Sequence, residues 1–125
     1  MAKKRVFVSF DFDNDKILKD FIIGQAKNED SPFDVSDYSL KEAAPEKDWI
    51  EKATAAISRA EVFMVMLGPK TQNAHGVLKE VKIAKELNKK RFQIIGYTTG
   101  TASWAVPDAG RTYSWSWENL KKLLE

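Results

Sequence analysis

The stretch Val62-Phe63-Met64-Val65-Met66-Leu67, opened by Glu61 and stopped by Gly68-Pro69, decides the fold. A strand with one wet face alternates apolar and polar residues, whereas six apolar residues in succession leave no face for water. Such a strand belongs inside a parallel sheet covered by helices on both sides. It is also far shorter than the roughly 20 residues that a membrane-spanning helix needs.

Reading outward from this strand, helical and extended periods alternate. Upstream, Pro45 suits a first helical position, and Trp49, Ile50, Ala53, Ile57 and Ala60 mark an apolar stripe to about Arg59. Before that, Phe33-Asp34-Val35-Ser36 is a short strand candidate. Ile17, Leu18, Phe21 and Ile22 fall on one face of a helix that Asp13, Asn14 or Asp15 can cap. The β-branched and aromatic run Arg5 to Phe10 forms a first strand. Downstream, Val77, Leu78, Val81, Ala84 and Leu87 trace another helix, and Asn88-Lys89-Lys90 is a helix-ending pattern with charges favourable to the dipole. Phe92 to Tyr97 is a fourth strand and Thr112 to Trp115 a fifth, followed by a helix holding Trp117, Leu120, Leu123 and Leu124. Trp104, Tyr113, Trp115 and Trp117 are expected to cover the sheet edge.

Strands alternating with helices imply right-handed crossovers and a parallel sheet. The expected fold class is α/β, a flavodoxin-like three-layer sandwich with a five-stranded parallel sheet in the order 2-1-3-4-5. In such sheets ligands bind outside the carboxyl ends of the strands. The loops to watch are therefore Asp11 to Asp15, Ser36 to Ala44, Gly68 to His75 and Thr98 to Gly110.

Composition bounds the chemistry. The 125 residues are expected to form one domain, 1–125, and 43% hydrophobic residues with 4 Trp, 3 Tyr and 7 Phe supply a core. There is no cysteine and a single histidine, His75, so thiolate nucleophiles, disulfides and multi-histidine or cysteine-ligated metal sites are excluded. The net charge is +2, and the basic residues lie in short separate clusters, which does not suit nucleic acid. With no long apolar run, no membrane association is expected, and a cytoplasmic protein is.

The acidic string Asp11-Phe12-Asp13-Asn14-Asp15 is the first candidate for chemistry. A calcium loop needs Gly and Glu where the chain has Lys16 and Ile22, so that motif fails. Magnesium-dependent phosphoryl transfer through Asp11 and Asp13 stays open beside a plain loop-solvating and capping role. No Gly-rich nucleotide fingerprint is present. Lys70 can meet a phosphate or be a solvated loop lysine, and His75 reads as a helix-start residue. In the helix after Leu67, at about 100° per residue, Glu80 lies about 60° from Val77 and flanks the buried stripe. It is the lone acid on that side, open to functional tuning or to pairing with a lysine.

These residues resemble a family. Val6-Phe7-Val8-Ser9-Phe10-Asp11, the run Val62 to Thr71 and Gly76-Val77-Leu78-Lys79-Glu80-Val81 together are similar to TIR (Toll/interleukin-1 receptor) domains, above all the small bacterial and archaeal TIR-like proteins that include the TIR-like subunit of Thoeris phage-defence systems. The resemblance implies a flavodoxin-like fold and, in catalytic members, NAD cleavage by the glutamate of Trp-x-x-x-Glu. That glutamate falls on Glu80, whereas the tryptophan position holds Gly76, and the Pro-Gly loop of signalling TIR domains is missing. The implied function is cleavage or cyclisation of NAD, as substrate with no further cofactor, by an NAD glycohydrolase or cyclase in antiphage signalling. Glu80 is the expected catalytic residue; Ser9, Phe10, Asp11, Phe12, Trp49 and Lys70 are the expected substrate-binding residues. The alternative is a non-catalytic module that self-associates or binds a partner effector protein.

Overall fold

A computed structural model describes residues 3–39, 45–68, 70–96 and 105–124. The elements in chain order are β1 (Lys4–Ser9), α1 (Lys16–Ala26), β2 (Phe33–Tyr38), α2 (Glu46–Arg59), β3 (Val62–Leu67), a 3-10 turn at Thr71–Asn73, α3 (His75–Glu86), β4 (Lys90–Ile95), β5 (Thr112–Ser114) and α4 (Trp117–Leu124). The five strands form a single parallel sheet in the order β2-β1-β3-β4-β5, the expected flavodoxin-like arrangement. The fourth strand starts two residues earlier than its sequence pattern, at Lys90, and Tyr97 and Trp104 lie outside the described residues.

The sheet divides two cores. On one face Val6, Val8, Met64, Met66, Phe92 and Ile94 meet Leu18 and Ile22 of α1 and Leu120 and Leu124 of α4. On the other, Phe7, Phe63, Val65 and Leu67 meet Ala53, Ala56 and Ile57 of α2 and Val77, Val81 and Ala84 of α3. All six residues of β3 are buried, because the strand sits third of five and is covered on both sides.

Several helix details differ from their sequence patterns, each for a local reason. α1 buries only Leu18, Ile22 and Ala26, a stripe at every fourth residue, so Ile17 and Phe21 are displaced about 100° from it and stand about half exposed. Pro45 is the N-cap of α2 and not its first residue; Glu46 and Asp48 supply the first-turn acids that favour the helix dipole. In α3 the buried stripe is turned toward Glu80, leaving Leu78 and Leu87 partly exposed. α3 ends in a Schellman turn: Asn88, at φ 54, and Lys89 donate their N–H groups to the Lys85 and Ala84 carbonyls, both at 3.0 Å.

Asp15 is the N-cap residue of α1, yet its side chain makes no capping bond. Its carboxylate is instead buried under the turn after β3, where Thr71 Oγ1 donates to it at 3.4 Å. That packing explains Gly68: a Cβ there would lie 2.0 Å from Asp15 Oδ2, so any side chain would expel the carboxylate. Gly68 therefore permits the approach of the first and third loops to each other.

Candidate functional site

Those two loops flank the topological switch point, where β1 leads outward to β2 on one side and β3 begins the progression on the other. A cleft of about 460 Å³ opens there, within the roughly 300–1,000 Å³ that small-molecule sites occupy. Its walls come from the loop after β1 (Phe10 to Asn14), from Ser39 just past β2, from Lys70 and Asn73 after β3, and from the first turns of α3 with Gly76 and Glu80.

Glu80 reaches the sheet from α3 and is 1% exposed. A buried carboxylate needs hydrogen-bond donors, and two serines supply them. Ser9 Oγ, at the carboxyl end of β1, donates to Glu80 Oε1 at 2.8 Å. Ser39 Oγ donates to the same oxygen and itself accepts the Phe10 N–H at 3.1 Å. The resulting chain, from the Phe10 backbone through Ser39 to Glu80, joins β1, the end of β2 and α3 at one atom. A carboxylate gripped on one oxygen by a serine at the end of β1 and another just past β2 has a fixed orientation at the cleft wall.

The loop after β1 is organised by its first acid. Asp11 Oδ1 accepts the Asp13 N–H at 3.2 Å, and Asp11 Oδ2 accepts from Asn14 Nδ2 at 2.7 Å. Phe10 and Phe12 stack with centroids 5.9 Å apart, and Lys16 Nζ lies 4.5 Å above the Phe12 ring. Phe10 is buried among core residues, whereas Phe12 is partly exposed at the cleft. Among the described residues no group of three or more histidine, aspartate or glutamate side chains converges to hold a metal ion. At the cleft rim His75 Nε2 lies 2.9 Å from Glu46 Oε1, tying the start of α3 to the start of α2. Hydrogen bonding to His75, aided by Lys79 and His75 charge and opposed by desolvation, holds the Glu46 carboxyl below its ordinary value of 4.5.

Of the residues singled out by sequence, Phe10, Asp11, Phe12, Lys70 and Glu80 line this one cleft, and Ser9 touches it through Glu80. Trp49 does not join them. It is 3% exposed and lines a second cavity, beneath α2, behind Glu80. Glu80 is deeper than its position on the helical wheel suggests, because α3 turns that edge of its stripe onto Ser9. The sequence pattern does not single out Ser39 or Asn73; their only signal is position, in the loops after the second and third strands that face the ligand end of the sheet. Of the watched loop from Thr98 to Gly110, residues 98–104 lie outside the described residues.

Among the described residues, no helix is long and apolar enough to cross a membrane. None of the curated proteins compared with the chain matches it. The family model described as "Thoeris protein ThsB, TIR-like domain" matches residues 7–102, which span β1 to β4 and every described wall of the cleft. That family points to antiphage defence signalling. On that match, and with the five-stranded sheet its fold requires, the chain belongs to the Thoeris ThsB TIR-like domain family.

Proposed function

We propose that the protein processes NAD in antiphage signalling, with Glu80 as the catalytic carboxylate. The observation that carries this reading is a buried glutamate oriented by Ser9 and Ser39 at the wall of the cleft at the carboxyl ends of the strands. Cleavage of the bond between nicotinamide and ribose breaks C1′–N, and the electron pair leaves with nicotinamide, which departs as a neutral ring. No general acid is needed for that departure. The ribose passes through an oxocarbenium-like state whose positive charge a nearby carboxylate stabilises. Water then adds to C1′ and loses a proton, giving ADP-ribose, or a nucleophile within the same molecule adds and gives a cyclic product.

The other walls suit the remaining parts of the substrate. The Phe12 ring offers a face for stacking, and Lys70 and Asn73 offer a charge and hydrogen bonds for phosphate or ribose oxygens. Gly76 stands one turn before Glu80, on the same side of α3, in place of the family tryptophan, so the cleft is open where a large ring would stand.

The test is incubation with NAD at high protein concentration, with chromatographic detection of nicotinamide and of ADP-ribose or a cyclic product. Nicotinamide release supports the proposal. Intact NAD from a protein that self-associates or captures a partner would favour the non-catalytic module, a reading also served by the exposed Ile17 and Phe21 on α1.

A further inference from the structure

On the sheet face opposite α2 and α3, α1 carries a glycine that its own chain does not account for. Gly24 sits inside the helix, where glycine is among the poorest residues. Two needs commonly explain a glycine, a left-handed φ and a close internal neighbour. Neither holds here: its φ is not positive, and a Cβ built on it meets nothing within 4 Å.

The same lane of the helix exposes two large apolar side chains. At about 100° per residue, Ile17, Phe21 and Gly24 fall within about 60° of one another, and Ile17 and Phe21 are 51% and 55% exposed. Trp115, itself partly exposed, borders the lane. Its ring lies 6.3 Å from that of Phe21, and its Nε1 donates to Gln25 Oε1 at 2.8 Å. An apolar ridge notched by a glycine is shaped to let another helix approach closely.

Charge selects the occupant. Asp20 and Lys27, both exposed, flank the lane on one side, about 20° apart around the helix axis. Asp20 lies 3.1 Å from Lys19 yet keeps 67% of its side chain exposed, and Lys27 continues the helical backbone as its C-cap. The two residues lie equally far, about 5 Å along the axis, on either side of the point between Ile23 and Gly24. In a two-fold pair of antiparallel helices, each flank faces the same flank of the other copy. Two copies crossing at Gly24 therefore set Asp20 of each beside Lys27 of the other, twice. A lane that is its own charge complement about the notch fits a second copy of this chain.

We propose that the protein forms a two-fold dimer through antiparallel α1 helices that cross at Gly24, with Ile17 and Phe21 covered and Asp20 and Lys27 paired between copies. One helix from each copy buries less than the standard interface of about 800 Å² per partner, so the dimer is weak, with Kd on the order of 100 μM. It stands whether NAD is cleaved or left intact.

The experiment is analytical ultracentrifugation of the full chain from roughly 10 μM to 1 mM at low salt, which should show monomer and dimer in equilibrium. Gly24→Gln, a better helix former facing open space, should raise the Tm of dilute protein by roughly 2–4 °C and weaken the dimer by at least about tenfold. Those opposite signs separate a contact residue from one that serves the fold. Asp20→Lys and Lys27→Asp should each weaken the dimer by about fivefold, and an equimolar mixture of the two variants should associate within about threefold of wild type. A chain that stays monomeric throughout, a dimer indifferent to Gly24→Gln, a Tm lowered by that change, or a mixture no tighter than its components would overturn the proposal. So would a different protein bound over Phe21 of a chain that does not self-associate.

Discussion

Replacing Ser39 by alanine removes two buried hydrogen bonds at once. The Phe10 N–H loses its acceptor, and the Glu80 carboxylate loses one of the two serine donors to Oε1. All three residues are less than a twentieth exposed. A hydrogen bond to a charged group contributes about 1.5–3 kcal/mol, and a stranded buried N–H costs about 1–3 kcal/mol. Water entering from the cleft, which Ser39 lines, replaces part of this, so the expected loss is about 3 kcal/mol. For a chain of this size that lowers Tm by roughly 10 °C. The assay is urea denaturation followed by tryptophan fluorescence, with Ser39→Thr as the variant that keeps the hydroxyl and recovers more than half of the loss. A double-mutant cycle with Glu80→Gln should give a coupling of about 1 kcal/mol or more. A loss below about 1 kcal/mol, or additivity of the two changes, would refute the idea that Ser39 and Glu80 form one buried unit.

Three further outcomes follow from the same contacts. Gly68→Ala should destabilise by about 1–3 kcal/mol, because its Cβ meets Asp15 Oδ2 at 2.0 Å, and Asp15→Gly in the same chain should recover part of that; the denaturant midpoint decides. Asn88→Gly should stabilise by about 0.5 kcal/mol, since position 88 holds φ 54, and an unchanged or lower Tm would contradict it. The Glu46 carboxyl is lowered by its bond to His75, so its folded value lies below its unfolded one. The stability it adds is present above about pH 4.5 and is lost as pH falls through the lowered folded value. Wild type and Glu46→Gln should accordingly differ in Tm at neutral pH and converge in acid, with a smaller difference in high salt.

The sheet was legible because one strand is apolar on both faces and its neighbours alternate with helical stripes; Val62 to Leu67 forces a covered parallel sheet, and the remaining periods fill in its order. What periodicity could not give was rotation and long-range contact. Ile17 and Phe21 look like core residues on a helical wheel, yet the sheet touches α1 along a stripe one residue away. Trp49 shares the aromatic character of Phe10 and Phe12 but is carried by α2 to another cavity. Ser39 carries no signal of its own in the sequence, because a serine after a short strand is ordinary. Its bond to Glu80 spans 41 residues and that of Ser9 spans 71, separations that only the folded sheet can close.

Initial-rate nicotinamide release from NAD, compared between wild type and Glu80→Gln at equal folded fraction, bears most directly on the site. The substitution keeps the size of the side chain and removes its charge, so the release rate should fall by at least about a hundredfold, equivalent to roughly 2.7 kcal/mol of transition-state stabilisation. Equal rates from the two proteins would contradict a catalytic role for the carboxylate that Ser9 and Ser39 hold at the cleft wall.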